Sequence, residues 1–250
     1  MKLKDRVAII TGGARGIGRA TSIMLSKEGA KIVIIDIKEK EGLETKNNIE
    51  KSGGDAFFCK ADITIEEEVK LAVYEAMKKY KRLDILVNNA GWGKGKSFHD
   101  MDTELRDKIL DINLTGVFNV THAVLPYLIK QNSGKIINIG SGAGTIGAGN
   151  ESIYSAAKAG VFGFTKALAR EVGKNNINVN AIAPGLIDTE LLQENYEGSK
   201  KLFDYIKRNT PLKRIGKPED IAAGILYLAS EDSSFMTGQV ISINGGLTMT

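Results

Sequence analysis

Cysteine, histidine and proline are scarce in this sequence of 250 residues, which contains one Cys, two His and four Pro. A lone Cys59 excludes a disulfide framework and a cysteine-based zinc site. With His99 and His122 the only histidines, a His-rich metal centre is excluded as well, and no metal is expected. So little proline sets aside collagen and Pro-rich linkers. No run reaches the ~20 apolar residues of a membrane-spanning helix. The basic start, Met1 to Arg6, is followed by only the short apolar run Val7–Ile10, too short for a signal-peptide core. The expectation is a soluble cytoplasmic protein with no membrane partner. Neither charge sign dominates: 34 basic against 30 acidic residues leave +4, spread along the chain. Without a basic block, no nucleic-acid partner is expected. What is plentiful is glycine, 28 residues or about 11% where ~7% is usual. Glycine without proline points to tight turns and close backbone approaches inside a packed fold.

Short β-branched runs alternate with longer amphipathic ones. The runs predict strands at Val7–Thr11, Lys31–Asp36, Ala56–Cys59, Ile85–Asn88, Lys135–Ile139, Asn178–Ala183 and Val240–Ile243. Helical patterns lie near Gly16–Lys27, Glu39–Lys51, Ile65–Tyr80, Leu105–Lys130, Ser155–Asn175 and Pro218–Ser230. Such alternation implies parallel strands joined by crossover helices that cover both faces of the sheet. The expected architecture is a single α/β domain over residues 1–250, a doubly wound parallel sheet of seven strands of the Rossmann type. The segment Leu186–Arg214 fits neither pattern. Ligands of open α/β sheets sit beyond the carboxyl ends of the strands, so this insertion is expected to cover one.

The first strand runs into Thr11-Gly12-Gly13-Ala14-Arg15-Gly16-Ile17-Gly18, and a helix follows. Glycines let the turn tighten and bring backbone N–H groups to a pyrophosphate, while the helix N-terminus adds its positive dipole end. Glycine spacing alone also describes an ordinary βα turn. Its context favours dinucleotide binding, because the second strand ends in Asp36, 18 residues beyond Gly18, where an acid can reach an adenosine ribose. A carboxylate accepts hydrogen bonds from ribose hydroxyls and repels a 2′-phosphate, which favours NAD over NADP.

The Gly-x-x-x-Gly-x-Gly spacing resembles the cofactor signature of the short-chain dehydrogenases/reductases, and later residues extend the resemblance from about Leu3 to Met249. Asp62 resembles the family's adenine-binding Asp. Asn88-Asn89-Ala90-Gly91 resembles the motif that stabilises the central sheet and borders the cofactor. Pro184-Gly185 with Thr189 resembles the segment that holds the nicotinamide end. The resemblance implies a cofactor site made of Gly12, Arg15, Gly16, Ile17, Gly18, Asp36, Asp62, Ile63, Asn89, Ala90, Gly91, Tyr154, Lys158, Pro184, Gly185, Ile187 and Thr189. Arg15 argues for NADP, since family members with a basic residue there often bind the 2′-phosphate; its plainer reading is a solvated arginine beside the pyrophosphate. Asp36 carries more weight, because a like-charge contact is the harder obstacle to remove.

Tyr-x-x-x-Lys sets two side chains on one helical face. The motif occurs three times, at Tyr74/Lys78, Tyr154/Lys158 and Tyr196/Lys200. Only Tyr154 follows a strand and a small-residue loop, Gly140 to Gly144, whose Ser141 lies 13 residues upstream. That interval resembles the family's catalytic spacing, and Asn113 in Asn-Leu-Thr-Gly matches its fourth catalytic member. The other two pairs read as solvated helix faces. Oxidising an alcohol requires a base for its hydroxyl proton, and a tyrosine of pKa about 10 serves only when a neighbouring ammonium favours the phenolate. Lys158 supplies that charge and can hold the nicotinamide ribose, while Ser141 steadies the substrate oxygen. By resemblance Asn113 holds a water that links Lys158 to solvent. A helix-kink or capping role for Asn113 is compatible with this.

The chain also resembles the 3-oxoacyl-thioester reductases and 3-hydroxyacyl-CoA dehydrogenases of the family. Reductases acting on acyl carrier protein typically use NADP and present arginines near two helix ends. The corresponding stretches here read Lys130-Gln131-Asn132 and Lys174-Asn175-Asn176. Asp36 and the missing arginines favour an NAD-dependent catabolic dehydrogenase. Trp92 after Asn-Asn-Ala-Gly, and the ending Gly238-Gln-Val to Gly245-Gly-Leu-Thr-Met249, resemble 2-hydroxycyclohexanecarboxyl-CoA dehydrogenases, whose substrate is a 3-hydroxyacyl thioester on a ring. For Trp92 the plainer reading, a packing residue beside the pocket, is preferred. The lid carries six Lys/Arg against five acids and gives no sign of a CoA partner. Sugars, polyols and simple secondary alcohols stay open as substrates. A dinucleotide-sensing role without catalysis is disfavoured, because Ser141, Tyr154 and Lys158 are all present. The family is mostly homotetrameric, through its long fifth and sixth helices.

Overall fold

The computed structural model describes residues 1–195, 204 and 207–249. Its strands are β1 (Val7–Thr11), β2 (Lys31–Asp36), β3 (Ala56–Lys60), β4 (Ile85–Asn88), β5 (Gly134–Ile139), β6 (Ile177–Pro184) and β7 (Val240–Ile243). They form one sheet in the order β3-β2-β1-β4-β5-β6-β7, and every pairing is parallel. The helices are α1 (Gly16–Lys27), α2 (Glu39–Lys51), α3 (Glu66–Tyr80), α4 (Thr103–Leu110), α5 (Gly116–Gln131), α6 (Ala143–Ile146), α7 (Ser152–Val172), α8 (Glu190–Asn195) and α9 (Pro218–Ala229).

Strand residues alternate between two cores because successive side chains point to opposite faces. Val7, Ile9, Val33 and Ile35 pack with Val69 and Val73 of α3, Val120 and Val124 of α5, and Leu168 and Val172 of α7. Ala8, Ile10, Ile32 and Ile34 pack on the other face with Leu25 of α1, Ile49 of α2, and Ile221 and Ile225 of α9. Burying each such Val, Leu or Ile contributes about 1.5–3 kcal/mol, so both faces need their helices. The strand order reverses between the paired β1 and β4, and the connections that leave them run to opposite halves of the sheet. A crevice therefore opens beyond the carboxyl ends of β1 and β4.

Two expectations change in detail. The helix expected over Leu105–Lys130 is broken into α4 and α5 by a π-helical turn at Asp111–Thr115, which a 3.6-residue period does not register. The helical run Thr103–Gln131 is, contrary to expectation, long and apolar enough by composition to cross a membrane, with a hydropathy of 1.3. Its Val117, Val120, Val124 and Leu128 are buried against the sheet, so it is a core helix, while Phe118 and Ile129 face outward. Cys59 lies on β3, where burial pushes its thiol up to about 12, too high for a nucleophile at neutral pH.

Candidate active site

The glycine turn leaves β1 with Gly12 at φ +63°, a left-handed conformation that L side chains rarely adopt. At Gly18 the constraint is space: a Cβ would lie 2.0 Å from the Gly12 carbonyl oxygen. This close approach folds the turn back on the start of α1. Arg15, the N-cap, makes no side-chain capping bond, and the first turn of α1 carries no acid. Helix N–H groups so arranged suit an anion, and the residues fit a pyrophosphate. Thr11 clamps the facing strand: its Oγ1 accepts from the Asn89 and Ala90 N–H groups, each at 3.0 Å. In return Asn89 Nδ2 donates to the Thr11 and Gly12 carbonyls at 3.0 and 3.1 Å.

Asp36 lies at the end of β2, only 9% exposed. Its Oδ2 accepts from Ala14 N–H at 3.0 Å and its Oδ1 from Lys38 N–H at 2.9 Å. The carboxylate is thus fixed against the turn by two backbone donors. Asp62 Oδ1 accepts from the Thr64 N–H and hydroxyl at 2.9 and 2.8 Å, which shapes the loop after β3. Among the residues expected at the cofactor, Ile17, Ile63 and Ile187 send their side chains into the two cores. Only their backbone is left for the loops; the Ile63 carbonyl accepts from Asn119 Nδ2 at 3.0 Å.

The catalytic candidates converge at the ends of β4 and β5. Lys158 is buried on α7, and its Nζ donates to the Ile139 carbonyl at 3.0 Å, two residues before Ser141. Burial pushes its ammonium down from 10.5 to about 8. Nζ lies 5.6 Å from the centre of the Tyr154 ring, one turn earlier on the same helix. Gly91 and Gly93 mark the floor of the site. A Cβ at Gly91 would lie 3.0 Å from Asn113 Oδ1 and 3.3 Å from Lys158 Nζ, and one at Gly93 would lie 3.1 Å from Tyr154 Cδ2. Asn113 sits in the π turn and is fully buried. Its Nδ2 donates to the Trp92 and Ile109 carbonyls at 2.5 and 2.9 Å, and its Oδ1 accepts from Trp92 N–H at 3.3 Å. The amide therefore ties the widened turn to the loop after β4, the helix-shaping role that its sequence position allows. Ser141 Oγ accepts from Ala143 N–H at 3.1 Å, which leaves its own O–H to donate outward.

Beneath these residues runs a buried polar chain, of which the Asn88-Asn89-Ala90-Gly91 motif marks one member and leaves the others unmarked. Asn88 Nδ2 donates to Thr121 Oγ1 and Asn138 Oδ1, both at 2.9 Å, and Asn138 Nδ2 donates to Thr165 Oγ1 at 2.9 Å. It ties β4 and β5 to α5 and α7; Asn113 lies in the turn before α5, Ser141 in the loop after β5 and Lys158 on α7. For Asn138 the sequence signal is a polar residue inside an otherwise apolar strand. The Pro184 carbonyl accepts from Gly142 N–H at 2.9 Å, and Gly185 N–H donates to Ile243 at 3.1 Å, so the loop after β6 abuts the Ser141 loop. Thr189 then stands over Gly16: a Cβ there would lie 3.2 Å from Thr189 Cγ2. Of the other two Tyr-x-x-x-Lys pairs, Tyr74 is exposed on α3 with Lys78 beside Glu75 at 3.8 Å. Tyr196/Lys200 lies outside the described residues.

A doubly wound parallel sheet with a glycine turn at its switch point is a dinucleotide-binding architecture. Residues 12–248 match the family profile described as Enoyl-(Acyl carrier protein) reductase. The chain is 42% identical over 250 residues to the 3-oxoacyl-[acyl-carrier-protein] reductase FabG of Thermotoga maritima, covering 100% of both chains. It is 39% identical to the enzyme of the same name from Chlamydia muridarum, covering 98% of each. Among solved structures, levodione reductase superposes with a TM-score of 0.95 at 35% identity, covering 98% of both chains. The gox2181 structure superposes at 0.94 with 34% identity, covering 98% of this chain and 96% of that one. The chain belongs to the short-chain dehydrogenase/reductase family and is an oxidoreductase of ketones and alcohols. Membership implies a nicotinamide cofactor.

Proposed function

We propose that this single-domain enzyme uses NAD to interconvert a secondary alcohol and its ketone at C3 of an acyl thioester, ring-bearing acyl groups included. The observation that carries the reaction type is the buried Lys158 ammonium beneath the Tyr154 ring, held by the Ile139 carbonyl at 3.0 Å. The cofactor, when bound, accepts or supplies the hydride. The protein handles the proton. In oxidation the substrate O–H gives its proton to the Tyr154 phenolate; in reduction the Tyr154 O–H donates it to the carbonyl oxygen. Lys158 favours the phenolate by its charge. Ser141, its oxygen already accepting from Ala143 N–H, donates its hydroxyl hydrogen to the substrate oxygen. Asn113 Oδ1, beside the same Gly91 surface as Nζ, supports a proton path from Lys158 through water.

Asp36 supports NAD, since its carboxylate ends β2 against the glycine turn, and a carboxylate at the ribose end of a dinucleotide would repel a 2′-phosphate. The names of the curated relatives support a 3-oxoacyl thioester as substrate. They equally support a second reading, an NADP-dependent 3-oxoacyl-[acyl-carrier-protein] reductase. The discriminating experiment compares kcat/KM for 3-oxoacyl-CoA and 3-oxoacyl-carrier-protein substrates with NADH and NADPH, beside cyclic 3-hydroxyacyl-CoAs, diols and sugars. NADH preference with activity on CoA thioesters supports the first reading. NADPH preference with carrier-protein selectivity supports the second, and activity on none of the thioesters overturns both substrate readings.

Phe118 of α5 and Phe164 of α7 pack edge to face with ring centres 4.8 Å apart, and Phe118 is 40% exposed. That aromatic face supports a homotetramer built on α5 and α7. Light scattering that returned one chain of 27.0 kDa, and not four, would remove this part of the proposal. Residues 186–214, of which 196–203, 205 and 206 lie outside the described residues, are proposed to cover the substrate.

A further inference from the structure

Two ion pairs tie α8 to the glycine turn. Arg15 Nη1 lies 2.5 Å from Glu194 Oε1 and its Nη2 3.4 Å from Oε2, a forked contact. One helical turn earlier in α8, Glu190 lies 3.8 Å from Arg19 Nη1. The two arginines are not equivalent. Arg19 Nε donates to the Ala14 carbonyl at 2.8 Å, so its side chain is anchored to the turn itself. Arg15 spends its side-chain hydrogen bonds, among the described residues, on Glu194. Arg15 follows Ala14, whose N–H is held by the Asp36 carboxylate, and Lys38 also donates its N–H to Asp36. Asp36 is therefore held by the backbone of Lys38 and of Ala14, the residue before Arg15, so both basic residues are neighbours in the chain of its two donors. Glu194 faces both: the Arg15 guanidinium holds its carboxyl below the usual range, and Lys38 adds to the effect.

We propose that Glu194 is a specificity-determining residue of the cofactor site, which discriminates against a 2′-phosphorylated nucleotide by occupying the Arg15 guanidinium. An anion at the ribose end meets repulsion from Asp36 and attraction from Arg15 and Lys38. Pairing Arg15 with a carboxylate removes the larger, fork-shaped part of that attraction. Discrimination thus has two acidic components, one fixed in the sheet and one carried by the segment after β6. Arg15 contributes little to 2′-phosphate affinity while Glu194 is charged. This inference rests on the NAD reading.

The test is calorimetric affinity for NADH and NADPH, without substrate, in wild type, Glu194→Gln, Glu190→Gln and Glu194→Gln/Arg15→Ala. Glu194→Gln is expected to move the ratio of the two dissociation constants about tenfold toward NADPH, and by less in 0.5 M salt, where exposed charges are screened. Glu190→Gln, which removes the other α8 contact, leaves the ratio unchanged. Adding Arg15→Ala to Glu194→Gln abolishes the gain. An unmoved ratio in Glu194→Gln, or an equal shift in Glu190→Gln, overturns the assignment, the latter because docking of α8 alone would then explain it. A wild type that binds NADPH more tightly than NADH overturns the NAD reading itself, whatever Glu194 does.

Discussion

Lys158 reaches from α7 to the carbonyl of Ile139, 3.0 Å away at the last residue of β5, and so couples the catalytic helix to the strand that presents Ser141. The bond is made by an ammonium withdrawn from water, and two consequences can be measured.

Lys158→Met removes the charge that favours the Tyr154 phenolate, and turnover falls by at least about 100-fold. Stability moves the other way. The folded protein holds the Lys158 pKa at about 8, below its ordinary 10.5, which disfavours the charged form by about 3 kcal/mol. The unfolded chain then binds more protons between pH 8 and 10.5, so wild-type stability rises with pH across that window. The variant is expected to be more stable than wild type at pH 7. Urea midpoints at pH 7 and pH 10 should show the difference shrinking; a constant or growing difference contradicts the burial cost.

Tyr154→Phe keeps the ring packed against Gly93 and removes only the hydroxyl. Binding of NADH, followed by fluorescence, stays within about twofold, while kcat falls by about 100-fold or more. Near-wild-type turnover removes Tyr154 from the proton path.

Asp36→Ala deletes the acceptor for Ala14 and Lys38 N–H and the charge that repels a 2′-phosphate. Cofactor preference, measured as the ratio of kcat/KM for NADPH and NADH, shifts toward NADPH. Unchanged discrimination means that Asp36 does not face the ribose.

Asn138→Ala removes the acceptor for one Asn88 Nδ2–H and the donor to Thr165 Oγ1, while Asn88 keeps Thr121 and Thr165 keeps the Val161 carbonyl. The expected loss is about 2–3 kcal/mol in urea unfolding. Because β5 carries Ser141, kcat should fall with it. A loss below about 0.5 kcal/mol says the polar chain is replaceable.

Gly18→Ala places a methyl 2.0 Å from the Gly12 carbonyl oxygen, which backbone alone must relieve. Dinucleotide affinity is expected to drop by more than tenfold even where the variant folds, as judged by circular dichroism. Wild-type affinity means that the turn tolerates the opening.

Much of the candidate site could be located in the chain because its parts are local. The turn Gly12 to Gly18, the Asp36 that ends β2 and the Tyr154/Lys158 pair each lie within one strand–turn–helix unit, where spacing dictates geometry. Strands β1, β2, β4 and β7 have the bounds that their apolar runs predict, since burial on both faces leaves little freedom in composition. The π turn at Asp111–Thr115 escaped the periodicity because one inserted residue hides inside an otherwise regular amphipathic helix.

The order of residues determined by itself the alternating α/β plan, the glycine turn, and the residue types proposed for proton transfer. Only the tertiary structure decided which polar groups meet. Asn88 finds Asn138 at a separation of 50 residues once β4 and β5 pair in parallel, and Arg15 finds Glu194 across 179 residues once α8 folds over α1. Local sequence encodes backbone geometry through sterics and burial. The partner of a charge or an amide is set by which strands and helices come to lie side by side.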